Sequence, residues 1–183
     1  GGRVIFVTQI VFPDVPLTHE FKKSDDETYA VFISDLHFGS RLFLKDDFLR
    51  FVDWLNGNSG SFLQKKVSSK VKYLFIVGDA VDGVGVYPGQ EKELIFKDII
   101  QQYDQCAEFL GMIRKDIKII LAPGQHDSIR VAEPQPPLDR EFSNALFSLP
   151  NIVMVSNPSL VNIHSKKNFE GFNVLMYHGA SYH

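Results

Sequence analysis

Apolar positions along the chain change period several times, and each change marks an element. Residues 3 to 11 (RVIFVTQIV) are β-branched and aromatic and predict a strand, which Pro13 and Pro16 end. The polar run HEFKKSDDE at 19–27 is a connector. From residue 29 a strand–helix alternation begins. YAVFIS (29–34) is strand-like, FLKDDFLRFVDWLN (43–56) has the spacing of an amphipathic helix, a Ser/Lys/Gly-containing stretch follows as a loop, and VKYLFIV (71–77) is a second strand. Beyond a Gly-rich loop, Leu94, Ile95, Ile99, Tyr103, Ala107 and Leu110 recur at three-to-four spacing and predict the longest helix within 91–114. IKIILA (117–122) is a third strand, EPQPPL (133–138) a proline-rich loop, and DREFSNALFS (139–148) a short helix. NIVMVS, SLVNIH and FNVLMY then read as three closely spaced strands, the last two joined by the polar turn SKKNFEG.

Nearly all-apolar strands alternating with helices predict an α/β fold whose mostly parallel sheet is covered on both faces, and the closely spaced final strands predict a second sheet packed beside it. With 183 residues, 44% of them hydrophobic, the chain can bury one sizeable core. A formal net charge of −3 excludes a global positive field, so any contact with DNA has to be local. The lone cysteine, Cys106, is expected as a small core residue and cannot form an internal disulfide. No apolar run approaches the length of a membrane span and no signal peptide is evident, so a cytoplasmic location is expected.

Working residues in such folds gather where strands end. YAVFIS is followed by Asp35 and His37, YLFIVG by Asp79 and Asp82, IILAPG by Gln125, His126 and Asp127, and FNVLMY by His178. A lone Asp after a strand is usually a cap or turn residue, and a lone His there is usually structural. Capping needs no histidines, however, and four strand ends carrying such residues point to one metal or acid–base site. In extended backbone, residues two apart face the same side, which would let Asp35 and His37 face one ion. Carboxylates mixed with imidazoles and no nearby thiol suit Mn²⁺, Fe²⁺ or Zn²⁺ better than calcium or a structural zinc. Asp79, in the central motif, is placed to bridge two ions about 3.5–4 Å apart, the arrangement used to displace an ester oxygen from phosphorus. His19 and His164 are expected on the surface.

SDLHFG, VGDAVDG, PGQHD and YHG stand in the order of the calcineurin-like metallophosphoesterase motifs D-x-H, G-D-x-x-D, G-N-H-D/E and a later metal-binding histidine. GDAVDGVGVYPGQE and HDSIRVAEPQPPL further resemble the small subunits of archaeal family D DNA polymerases, and VFPDVP at 11–16 resembles the exit from the OB-fold domain that precedes the phosphoesterase domain there. The resemblance implies two packed mixed β-sheets flanked by helices, with 1–16 as the end of a preceding OB-fold domain or linker. Residues 17–183 would be the phosphoesterase domain, incomplete at its C-terminus because the family's final G-H-x-H motif is not reached. It also implies two divalent ions, Mn²⁺ foremost. Asp35 and His37 would bind the first, Asp79 would bridge, and Gln125 with His178 would bind the second. His126 would protonate the leaving oxygen or steady the phosphate, with Asp82 orienting its ring. Gln125 stands where the family usually has Asn.

The activity so implied is 3′→5′ proofreading exonuclease of a two-subunit replicative polymerase, with the large catalytic subunit and DNA as partners. A second reading, a non-catalytic scaffold subunit, expects lost ligands, whereas Asp35, His37, Asp79, His126 and His178 are all retained. A third, a phosphatase or small-molecule phosphodiesterase, typically has Arg where Gly83 stands. Arg41 and Arg130 follow metal motifs and are candidate phosphate contacts. Phe38 and Tyr87 either stack on a terminal base or pack in the core. Lysines 22, 23, 65, 66, 70 and 72 read as solvated surface.

Overall fold

The computed structural model describes residues 6–12 and 21–181. Four parallel strands form its centre, β1 (Tyr29–Ile33), β2 (Val71–Val77), β3 (Lys118–Ala122) and β4 (Ile152–Met154), side by side in that order. Successive strands are joined through α1 (Lys45–Leu55) and α2 (Phe62–Ser68), then α3 (Ile99–Gly111), then α4 (Arg140–Phe147). β5 (Ser159–Ile163) and β6 (Phe172–Met176) form a separate antiparallel pair.

Alternation along the central strands sorts their side chains into two cores. Leu74 and Ile76 of β2 and Ile119 and Leu121 of β3 meet Phe48, Val52 and Leu55 of α1, Tyr103, Cys106 and Leu110 of α3 and Leu146 of α4. Phe75, Ile120 and Ala122 point the other way, onto Met176 with Val161, Ile163 and Val174 of the hairpin. The layers are therefore helices, parallel sheet, hairpin. Burying both faces is what makes β2 and β3 apolar without alternation. Cys106 is fully buried, and burial raises its thiol pKa well above the usual range.

The α/β class matches the sequence pattern, with several differences of detail. Among the described residues the helices pack on one face only, and neither sheet is mixed. β4 joins the parallel sheet beside β3, whereas spacing alone grouped it with the last two strands. The stretch read as a loop between α1 and β2 contains α2, whose capping box pairs the Ser61 hydroxyl with the Gln64 N–H and the Gln64 side chain with the Ser61 N–H. α3 begins at Ile99 under the Asp98 cap, because Leu94 and Ile95 instead pair with the loop after β1: Ile95 N–H donates to the Gly39 carbonyl. Residues 6–11 of the first predicted strand form no strand and are exposed; the rest of that strand, the residue-16 boundary and His19 lie outside the described residues. Of the surface lysines, Lys22, Lys70 and Lys72 pair with Glu170, Glu27 and Asp116. His164 is half-buried rather than on the surface, its ring set between the Tyr73 hydroxyl and Asp26. No helix of the described residues is long and apolar enough to cross a membrane.

Candidate metal centre

All the strand-end residues come together at one end of the parallel sheet. The loop after β1 continues alongside that after β2, with the N–H groups of Asp35, His37 and Phe38 donating to the carbonyls of Gly78, Asp79 and Ala80. Asp35, His37 and Asp79 all adopt left-handed backbone, with φ of 54°, 51° and 52°. Non-glycine residues rarely do so, and such conformations concentrate at functional sites. Asp35 and His37 thus converge through two left-handed turns past the end of β1, not through the alternation of extended backbone.

Asp79 is the hub. Its carboxylate is 1% exposed. Oδ1 accepts from the His126 N–H at 2.9 Å, Oδ2 lies 3.2 Å from His178 Nε2, and the same Oδ2 is 4.0 Å from His37 Nε2. Burial alone would raise this carboxyl, but the hydrogen bonds from His178 and the His126 backbone, with the nearby imidazoles, outweigh it and hold the pKa below the usual range. Contact with Asp79 in turn raises the His178 imidazole to about 9, against the opposing effect of burial. His178 Nδ1 sits 2.8 Å from the Val77 carbonyl, which fixes that nitrogen as the donor and turns Nε2 to Asp79. A cation arriving there has to displace the Nε2 proton.

His126 is held in the same manner. Its Nδ1 lies 2.8 Å from the backbone carbonyl of Asp82, leaving Nε2 free to face a substrate. The carbonyl, not the carboxylate expected from sequence, orients this ring. The Asp82 carboxylate accepts from Gln90 Nε2 at 3.0 Å and approaches His37 Nδ1 to 3.1 Å. The His37 and His126 rings meet edge to face with centroids 4.7 Å apart.

Three observations fit this donor set to divalent cations. Asp35, His37 and Asp79 offer ligand atoms within 4.8 Å of one another, as do His37, Asp82 and His126. His37 Nε2 stands 3.9 and 4.0 Å from the Asp35 and Asp79 oxygens, too far for hydrogen bonds but close enough for a small inward shift to bring all three onto one ion at about 2.0–2.2 Å. Gln125 Oε1 is buried without a hydrogen-bond partner. Such an orphaned acceptor is costly unless a ligand satisfies it.

Of the residues that brace this centre, the sequence shows Asp127 as a strand-end residue without a role, and Gln90 and Gln102 were not singled out. Asp127 is 3% exposed and accepts from the N–H groups of Ala80, Val81 and Gly124 and from the Tyr103 hydroxyl, tying the loop after β2 to the loop after β3. Burial pushes its carboxyl up to about 6 against those hydrogen bonds. We expect Asp127→Ala to cost about 3 kcal/mol or more, since it strands several buried donors at once; urea unfolding measures this. Gln102 of α3 and Gln90 grip the Gly-rich loop. Gln102 exchanges hydrogen bonds with both backbone groups of Gly83, and Gln90 bonds to Val86 and Asp82. The available signal was a glutamine on the apolar face of α3, beside Ile99, Tyr103 and Cys106.

Gly124 lets the loops close, since a Cβ there would stand 2.2 Å from Asp79 Oδ1 and 2.6 Å from Asp79 N. Gly124→Ala is therefore expected to push Asp79 aside and weaken Mn²⁺ binding about 10–100-fold, read by isothermal titration calorimetry.

Of the other candidates, Phe38 is fully buried among Phe43, Phe48 and Phe109 and is a core residue. Tyr87 is 38% exposed, with its ring 6.3 Å from that of His126. Arg130 is exposed and its guanidinium bonds to the Pro134 carbonyl. Arg41 is exposed, and its backbone N–H donates to the Glu93 carbonyl.

Residues 29–182 match the model of the calcineurin-like phosphoesterases. The chain belongs to that family. It is also similar to proteins named DNA polymerase II small subunit. It is 48% identical to that of Methanothermobacter thermautotrophicus over 181 residues, 99% of this chain and 36% of the relative. Against that of Methanocaldococcus jannaschii it is 46% identical over 182 residues, 100% of this chain and 29% of the relative, and against that of Archaeoglobus fulgidus 47% over 180 residues, 98% and 35%. The chain spans about a third of the length of these curated relatives. The phosphoesterase resemblance seen in the four motifs is thus borne out over nearly the whole chain.

Proposed function

We propose that this phosphoesterase domain hydrolyses DNA phosphodiesters, acting as the 3′→5′ proofreading exonuclease in the small subunit of an archaeal replicative DNA polymerase. The observation that carries this is the convergence of Asp35, His37, His126 and His178 around the buried Asp79 carboxylate, in a chain that shares 46–48% of its residues with three polymerase small subunits. A scaffold under no catalytic demand has no use for left-handed Asp and His residues or an orphaned Gln125 oxygen. The large polymerase subunit and a DNA 3′ end are the proposed partners, and the cytoplasm the proposed location.

Asp35, His37, Asp79, Gln125 and His178 would hold two divalent ions, Mn²⁺ foremost and Fe²⁺ or Zn²⁺ as alternatives. Bound there, such ions supply an activated water and offset charge on the phosphoryl group. The protein's own part is positional. Asp79 presents Oδ2 to both His37 and His178 while the His126 N–H holds Oδ1, and the Val77 carbonyl keeps His178 in one tautomer. His126, steered by the Asp82 carbonyl, keeps Nε2 available to deliver a proton to the departing alkoxide.

A phosphodiesterase and a phosphatase separate on small substrates. With Mn²⁺, the full-length protein is expected to cleave bis(p-nitrophenyl) phosphate well and p-nitrophenyl phosphate poorly. The reverse preference would move the assignment to a phosphomonoesterase.

A further inference from the structure

A groove opens beside His37 and His126 and runs between the start of α1 and the loop at 82–93, enclosing about 550 Å³. We propose that it is the subsite for one unpaired base at the end of the DNA strand, held against Tyr87. The inference rests on the phosphodiesterase reading above and adds to it the part of the substrate that the groove recognises.

The walls are apolar and aromatic. Phe43, Phe48 and Phe51 line one side with Leu42 and Leu44, and Tyr87 stands on the side of His126. Leu42 and Leu44 are 75% and 69% exposed, so the mouth of a catalytic cleft leaves apolar side chains in water. The volume falls within the range of about 300–1,000 Å³ usual for small-molecule sites, enough for a nucleoside and far too little for a duplex.

Charge decides between base and phosphate. Neither Lys nor Arg lines the groove, whereas Asp35, Asp47, Asp82 and Glu93 do. Asp47 is paired with Arg50 from the next turn, which leaves Glu93 as the carboxylate nearest Tyr87. A phosphate entering here meets like charge. A base offers flat faces to the aromatic rings and N–H edges that a carboxylate oxygen accepts. The Tyr87 hydroxyl donates to Glu93 Oε2 at 2.5 Å, which holds the ring in a set orientation before any strand arrives. A paired end has to open to enter, at a cost that is smallest for a mismatched base.

The test uses the full-length protein and a single strand carrying 2-aminopurine at its 3′ terminus, followed by fluorescence without added metal and by hydrolysis with Mn²⁺. The wild type should quench the terminal base on binding. Tyr87→Ala should lose the quenching and raise Kd and KM about 5- to 100-fold, whereas Tyr87→Phe keeps the ring and restores both. Tyr87 lies in a partly exposed loop, and circular dichroism checks that the alanine variant is folded. A strand with an abasic 3′ terminus should bind wild type as weakly as the normal strand binds Tyr87→Ala, and combining the two changes should add nothing further. A strand that binds unquenched, or binds equally with and without its terminal base, overturns the subsite and leaves the phosphodiesterase reading standing. A wild type that neither binds nor cuts the strand overturns both.

Discussion

Asp79→Asn is expected to abolish hydrolysis and to weaken binding of both cations by more than about 100-fold, beyond the usual loss from outer-shell changes. The carboxylate is buried, sits in left-handed backbone, and lies between His178 at 3.2 Å and His37 at 4.0 Å. Asparagine fits the same space. It halves the oxygen donors and aims an amide N–H at either the His126 backbone N–H or His178 Nε2, both of which face an acceptor now. Calorimetry of Mn²⁺ binding beside an exonuclease assay reads both effects. Near-normal turnover with Mn²⁺ in the variant would remove Asp79 from the centre of the site.

His126→Ala should lose about 10²–10⁴-fold in cleavage rate, the usual contribution of a positioned proton donor, and still bind metal. The contact from residue 126 to Asp79 is made by the backbone N–H, so alanine leaves it in place. What disappears is the ring held by the Asp82 carbonyl. His126 also lies within ligand distance of His37 and Asp82, which gives the experiment its force. Loss of the cations along with activity would make His126 a ligand instead of a proton donor.

The site was more legible in the sequence than the scaffold that holds it. Chemistry-bearing residues after four separate strands are visible in the sequence. Three of these are parallel strands joined by helices, which puts their C-terminal ends on one side, and His178 joins them from the hairpin packed on the sheet. The route by which Asp35 and His37 meet was not visible, since a left-handed turn leaves no period in the sequence. Neither was the place of β4. Three apolar residues look alike whether they extend a parallel sheet or begin a hairpin, and only pairing with Ile119–Leu121 distinguishes them. α2 carried a readable signal, Ser61 three residues before Gln64, hidden by the lysines around it. Asp127, Gln90 and Gln102 act in large part through partners far along the chain, up to 47 residues away, and local pattern holds no trace of such contacts. Phe38 was equally open to stacking and packing until the aromatic cluster closed around it.

The most direct test is hydrolysis of a 3′-end-labelled single strand by the full-length protein during titration with Mn²⁺, with Asp79→Asn in parallel. The proposed function predicts Mn²⁺-dependent release of the label as a mononucleotide from the first turnover, absent in Asp79→Asn and in chelator. Metal-loaded wild type that leaves the strand intact, or Asp79→Asn that releases the mononucleotide at the wild-type rate, would contradict it.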